Sequence, residues 1–372
     1  MARSTLLLAL LAASALRSAA VASAQPPSPS ETATVVGTVR DADGAPLPGV
    51  NVYLSGTARG AATDADGRYE VARVPPGAYR VVASMLGFGP SARGVRLGAG
   101  DRARVDFALA EAPLALGAVR VEAERDGRWE RHLARFTTTL LGESANADST
   151  ALLNPEVLDF RSRWGTLTAT ARAPLVVENR ALGYRLTYDL TEFSASATRV
   201  SYDGDERFEP LAPADSAEAR RWADARARAY RGSLGHLLQA LLAGTAEADG
   251  FSFTVTVQDS YVGRPGFRTS GARLMRRNAD GWGTLRFRGR LDVVYTGEPE
   301  EPEYLTSEWF HERRGRPDEV QRSALVLDGY AVRIDPQGTP EVHDAVTSMG
   351  HMAFERLADR VPEEYRLPDA ER

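Results

Sequence analysis

The chain contains no cysteine and no lysine. Without cysteine it has no disulfide, no thiolate metal site and no thiol to carry a lipid. Its stability must come from burial, and 372 residues supply enough chain for two domains with real cores. All 45 basic residues are arginine, which reads as a mark of a GC-rich genome rather than of a recognition role. They are outnumbered by 50 acidic residues, and a net charge of -5 with a pI near 5.7 excludes a general nucleic-acid footprint. Histidine is scarce: His132, His236, His311, His343 and His351. None begins a His-Glu-x-x-His run with a further ligand, so a zinc peptidase has no signature here. No Gly-x-Ser-x-Gly elbow is present. Beyond the N-terminus no apolar run is long enough to cross a bilayer.

What is present begins with Met-Ala-Arg-Ser, a short greasy run from Thr5 to Ala15, and Ala22-Ser23-Ala24. A basic start, a short apolar core and a small-residue site predict a signal peptide over residues 1–24. Residues 25–30, QPPSPS, read as a linker. From residue 31 to about 111 the chain alternates short β-branched runs with Gly-Pro and Asp-x-Asp-Gly breaks. That punctuation predicts an antiparallel β-sandwich. Asp41-Ala-Asp43-Gly44 and Asp64-Ala-Asp66-Gly67 lack the further oxygen ligands of a calcium loop, so they are expected to be turns.

Residues 112–372 read as an α+β domain with an antiparallel sheet. Tyr184, Leu186, Tyr188 and Leu190 alternate, as do Phe251, Phe253, Val255 and Val257, and then Leu291, Val293 and Tyr295. Such half-buried strands imply a sheet face that is either covered or binds something. Leu325 and Leu327 are expected to pair with Tyr330 and Val332 across an Asp328-Gly329 hairpin. Helical spacing marks Trp129 to Leu140, residues 214–231 and, more faintly, Met349 to Asp359. Gly232 suits a helix end and Ser233 the N-cap of a second helix over residues 234–242. The acidic runs Asp203 to Glu206 and Glu298 to Glu303 read as solvated loops, and His351 with Glu355, four residues apart, reads as a helix-surface pair as readily as a site.

Arg226, Tyr230, Ser233 and His236 form the polar cluster of most interest. They could line one pocket, with Ser233 as nucleophile and His236 as base. The plainer expectation is structural: Ser233 caps a helix, His236 sits satisfied at an interface and Arg226 pairs within the domain. No catalytic residue, metal ligand or cofactor site is assigned.

The wording of the first module also carries a resemblance. VxGxVxDxxGxPLPGVxV from Val35, then TDxxGxY from Thr63, then PxGxYxVxxSxxGF to Phe88 resemble the carboxypeptidase regulatory-like domain. The resemblance implies a seven-stranded, transthyretin-like sandwich that serves as a non-catalytic accessory. NPEVLDF at Asn154–Phe160, the stretch Ala173 to Phe193, the Trp222 to Leu238 pattern and the close from Gly350 to Tyr365 resemble exported Bacteroidota proteins that carry the same module. That likeness implies an envelope location, periplasmic or at the outer membrane, and no activity. The expectation is a non-catalytic envelope protein binding a protein or glycan partner. One alternative is a component associated with TonB-dependent outer-membrane transport. A receptor itself needs about 22 strands of roughly 10 residues, which the interrupted second region does not offer. The other alternative is a hydrolase using Ser233 and His236.

The mature protein is expected to begin at Gln25 or within a few residues of it, which N-terminal sequencing of native material checks. Met1 retained in a cytosolic fraction would overturn export.

Overall fold

The computed structural model describes residues 32–112, 127–197, 199–257, 266–307 and 317–368. The expected signal peptide, the linker and His311 lie outside the described residues, and the side chain of His343 does too.

The first module is a sandwich of two sheets. Its strands are β1 (Ala33–Asp41), β2 (Asn51–Leu54), β3 (Gly60–Ala62), β4 (Arg68–Val74), β5 (Gly77–Ser84), β6 (Ser91–Leu97), β7 (Arg102–Arg104) and β8 (Phe107–Leu109). One sheet runs β4-β1-β7 with β8 also on β1, and the other runs β3-β2-β5-β6. β7 and β8 both lie parallel to β1, beside Thr34–Val36 and Val39–Asp41 in turn. They are one strand broken at Val105 and Asp106, so the module has the seven-strand plan that the resemblance implies. Val35, Val39, Val52, Leu54 and Val81 fill the core between the sheets. The Asp-x-Asp-Gly runs are turns: Asp41 Oδ1 accepts from the amides of Asp43 and Ala45, and Asp64 Oδ1 from those of Asp66 and Arg68.

After α1 (Gly127–Leu141) come β9 (Thr150–Leu152), β10 (Leu158–Arg163), β11 (Thr166–Ala171), β12 (Leu175–Asn179), β13 (Tyr184–Ala195) and β14 (Val200–Pro210). β13 is the spine of this antiparallel sheet. Its start pairs β12, its end pairs β11, and β14 follows its other edge throughout. α1 and α2 (Ser216–Tyr230) cover one face, with Phe136, Leu140, Leu167, Leu186, Tyr188 and Ala225 in a common core.

A further core gathers on α3 (Leu234–Ala243). It is built from β15 (Phe251–Thr256), β16 (Phe267–Thr269), α4 (Gly271–Leu274), β17 (Met275–Arg277), β18 (Gly283–Arg286), β19 (Arg290–Tyr295), β20 (Gln321–Leu327), β21 (Ala331–Ile334), β22 (Val346–Gly350) and α5 (His351–Phe354). One sheet runs β16-β15-β19-β20-β22 and a smaller one β17-β18-β21. Both are antiparallel.

Four expectations are corrected. β20 and β21 do not form a hairpin: β20 pairs β19 and β22, while β21 crosses to β18 and leaves Tyr330 exposed. Each strand finds a longer partner elsewhere, and the Asp328 amide donates to Ala345 O rather than closing a turn. Met349 to Asp359 is not one helix: Gly350 at φ +73 ends β22, His351–Phe354 makes one α-turn, and Leu357–Asp359 makes a separate 3-10 turn. His351 is fully buried there, with Nε2 on Glu301, so it is no surface residue. The acidic runs are not solvated loops: Asp205, Glu206 and Glu300 are buried, the first two inside β14.

The sheet face opposite the α1–α2 core is covered, and the first module covers it. Tyr53 and Val82 are buried yet point away from their own sandwich core. Tyr53 Oη donates to Asp189 Oδ2 at 2.5 Å, and Arg80 Nε donates to Asp205 Oδ1 at 2.7 Å. The backbone joins as well, through Gly56 N to Glu206 O and Phe208 N to Thr57 O.

Residues 31–111 are expected to fold alone as an all-β unit with a cooperative melt. Gly67 sits at φ +71, and a Cβ there would lie 2.5 Å from Val39 O. Gly67→Val should therefore cost roughly 2–4 kcal/mol. Denaturant melts of the fragment check both statements; a fragment with random-coil circular dichroism would refute the first.

Candidate functional site

The region following α2 is set by local chemistry. Asp215 caps α2 by accepting from the amides of Ala217 and Glu218. Gly232, at φ +77, breaks the chain where a Cβ would meet Gln321 Oε1 at 2.1 Å, so only glycine lets the helix pair come this close to β20. Ser233 then caps α3 as expected: its Oγ accepts from the His236 amide and donates to Tyr230 O at 2.7 Å.

The four residues singled out from the sequence part company. Arg226 turns to the six-stranded sheet, donating to Leu182 O and Gly183 O with its guanidinium 4.1 Å over the Tyr184 ring. Tyr230 is buried, donates to Gln239 Oε1 at 2.6 Å and stacks near His236 and Tyr365. His236 packs among Tyr230, Phe251 and Tyr295, with ring centroids 5.0, 5.0 and 5.7 Å away. Its Nδ1 accepts from the Gly232 amide. The neutral ring therefore carries its proton on Nε2.

A cavity of about 580 Å³ opens beside α3. Tyr230 and His236 line it, while Arg226 and Ser233 do not. Its other walls come from far along the chain: Tyr295 on β19, Arg277 on β17, Arg231, Asp249 and Arg366. Arg366 is pinned by backbone and amide oxygens, donating to Glu363 O, Tyr365 O and both Gln337 oxygens. Arg231 pairs with Glu298 at 3.4 Å. Arg277 is exposed and, among the described residues, has no carboxylate partner. The cavity is thus an aromatic pocket with cationic donors around it, a setting for binding a polar or anionic group. Sequence reasoning missed Tyr295, Arg277 and Arg366, because no local spacing connects them with residue 236.

The arrangement does not build a nucleophile. The Ser233 hydroxyl is spent on two backbone groups, and the His236 ring faces aromatics rather than that hydroxyl. Burial pushes the imidazole down to about 4, with Arg231 adding to the effect and Asp249 opposing it. A ring with that affinity and an occupied Nδ1 is a poor general base at neutral pH. Among the described residues no group of three or more His, Cys, Asp or Glu side chains is placed to hold a metal ion.

The first module is by fold a β-sandwich. Residues 34–110 match the carboxypeptidase regulatory-like domain, a non-catalytic regulatory or binding-type family. The TonB-dependent receptor P39 of Formosa agariphila is 50% identical over 54 residues, which is 14% of this chain and 5% of that receptor. The chain therefore spans a small fraction of that relative's length. Among solved structures, a cohesin–X-dockerin complex of Acetivibrio cellulolyticus is 19% identical, covering 31% of this chain and 78% of that one at a TM-score of 0.18. A Bacteroides uniformis protein named for carbohydrate binding is 12% identical, covering 50% and 76% at a TM-score of 0.19. Likenesses at these TM-scores decide nothing about this chain.

Ser233→Ala should cost about 1 kcal/mol through the lost cap, and Tyr230→Ala roughly 3 kcal/mol or more through the lost ring, both read from chemical melts. His236 adds a pH dependence. Unfolded, it takes up a proton near pH 6.5; folded, it does so only near 4. Protons therefore favour the unfolded chain between these values, and stability falls as pH drops through that window, by about 3 kcal/mol in all. The difference in stability between wild type and His236→Phe, measured against pH, isolates this contribution from the carboxylates.

Proposed function

We propose that this is a non-catalytic binding protein of the cell envelope. In this reading the carboxypeptidase regulatory-like module is a docked support, and the second region carries the binding surface. One observation supports it above the others: the cavity beside α3 gathers Tyr230, Tyr295, the Nε2–H of His236 and the unpaired Arg277, with no nucleophile–base pair among them. Aromatic walls with a few fixed donors suit a polar, partly apolar ligand, such as a sugar unit or a peptide side chain of a protein or glycan partner. Nothing in the cavity requires a cofactor for that task. The expected export, the matched module and the receptor segment together favour the envelope as its place. The 54-residue likeness to a TonB-dependent receptor also favours a second reading, association with outer-membrane transport. The two differ in the species that the cavity meets.

A photo-reactive amino acid at position 277, incorporated in cells, should crosslink to one envelope species. The purified Arg277→Ala and Tyr295→Ala variants should bind that species at least tenfold more weakly, the range expected for losing a bond to a charged group. A crosslink to a receptor or its energising partner selects the transport reading. Hydrolysis of ester, glycoside or peptide substrates that disappears in His236→Ala would replace both with an enzyme.

A further inference from the structure

The β10–β11 hairpin ends in Arg161-Ser162-Arg163-Trp164-Gly165, and every one of these residues is exposed. Trp164 is 92% exposed, the most exposed large apolar side chain described. It also holds a positive φ of 52°, followed by Gly165 at 80°. A type I′ hairpin turn has positive φ at both central positions, and asparagine, aspartate or glycine is the usual first residue. Tryptophan there carries backbone strain and gains no burial in return. Strain without a structural return is a pointer to function.

The surroundings are cationic. Arg163 flanks the turn, Arg161 lies on the same strand face, and both project from the face opposite α1, since Leu158 and Phe160 on the other parity pack toward that helix. β11 pairs the end of β13, Leu167 opposite Ala195, so the turn carrying Arg199 stands at the same end of the sheet. Arg135 ties these two turns together, donating to Gly165 O at 3.2 Å and Ala195 O at 3.0 Å. Among the described residues, none of these four arginines has a carboxylate partner. The neighbouring Asp159 is already engaged by Arg172.

A convex, braced apex cannot enclose a ligand, but it can enter a flat one. Tryptophan settles at the level of lipid headgroups, and arginines bind phosphates. The geometry points to this hairpin tip as a contact for an anionic phospholipid surface, with Trp164 inserted among the headgroups and Arg161, Arg163 and Arg199 on the phosphates. The inference is independent of the cavity, so either can fail alone.

The test uses the mature chain with sedimented vesicles of phosphatidylglycerol and, separately, of phosphatidylcholine. Binding to phosphatidylglycerol and not to phosphatidylcholine is expected. Trp164→Ala should weaken it about tenfold or more, and the double variant Arg161→Ala, Arg163→Ala on the order of thirty-fold. Both variants alter exposed residues, so an unchanged thermal melt shows that the fold is intact. No binding to phosphatidylglycerol, equal binding to both lipids, or binding that survives both variants would each overturn the inference.

Discussion

The buried contact between Tyr53 and Asp189 is the constraint on which the rest of the molecule depends. Asp189 and Asp205 stand opposite each other on β13 and β14, on the face turned away from the α1–α2 core. Two carboxylates side by side on a bare sheet would keep that face in water. The first module removes it from water and must therefore supply partners. Tyr53 gives one hydroxyl and Arg80 one guanidinium. Burial pushes the Asp189 carboxyl up, partly offset by the Tyr53 hydrogen bond. Losing either member would leave the other buried and unsatisfied, which costs more than the bond itself contributes. The joint is thus specified by polar groups rather than by apolar area alone.

The C-terminal segment makes the same joint from a third side. Asn179 Nδ2 donates to Ala358 O, Arg360 pairs with Glu206 at 3.0 Å, and the Glu363 amide donates to Gly56 O. Glu364 accepts from the Ala58 amide, and Arg366 grips Gln337, whose Nε2 donates to Pro76 O. Asp335 accepts from the amides of Gln337, Thr339 and Ala78, tying β5 to the turn after β21. Burial pushes Glu363 up to about 8, with the nearby Arg360 working against it. Within about ten residues the chain touches the six-stranded sheet, the sandwich, the turn after β21 and Tyr230 at the end of α2. The cavity beside α3 owes Arg366 to this strap, so the site exists only when the three cores are assembled.

What the sequence made legible follows from how local each signal is. The Asp41 and Asp64 turns, the Gly232 break and the Ser233 cap are decided within four residues, and the structure has each of them as expected. Strand alternation fixed which side of β13, β15 and β19 is buried, but it could not say what buries the other side. The alternation of Tyr184, Leu186 and Tyr188 leaves Asp189 on the opposite face, yet nothing local shows that a second module covers it. The β20–β21 hairpin failed for the converse reason: Asp328-Gly329 carries good turn chemistry, but pairing with β22 and β18 satisfies more backbone. Glu298 to Glu301 looked like a solvated run because charge suggests water. Arg231 and His351, distant in sequence, draw it inward instead.

The cavity beside α3 and the Trp164 apex differ in how locally each is built. The cavity is assembled from residues between 230 and 367, so its shape is tied to the packing of distant segments and to the strap that supplies Arg366. The Trp164 apex needs only one hairpin and the Arg135 brace, whose ladder from Leu158–Ala171 to Arg163–Thr166 is in register throughout. A substitution that loosens the joint at Asp189 would disturb the first surface and leave the second intact.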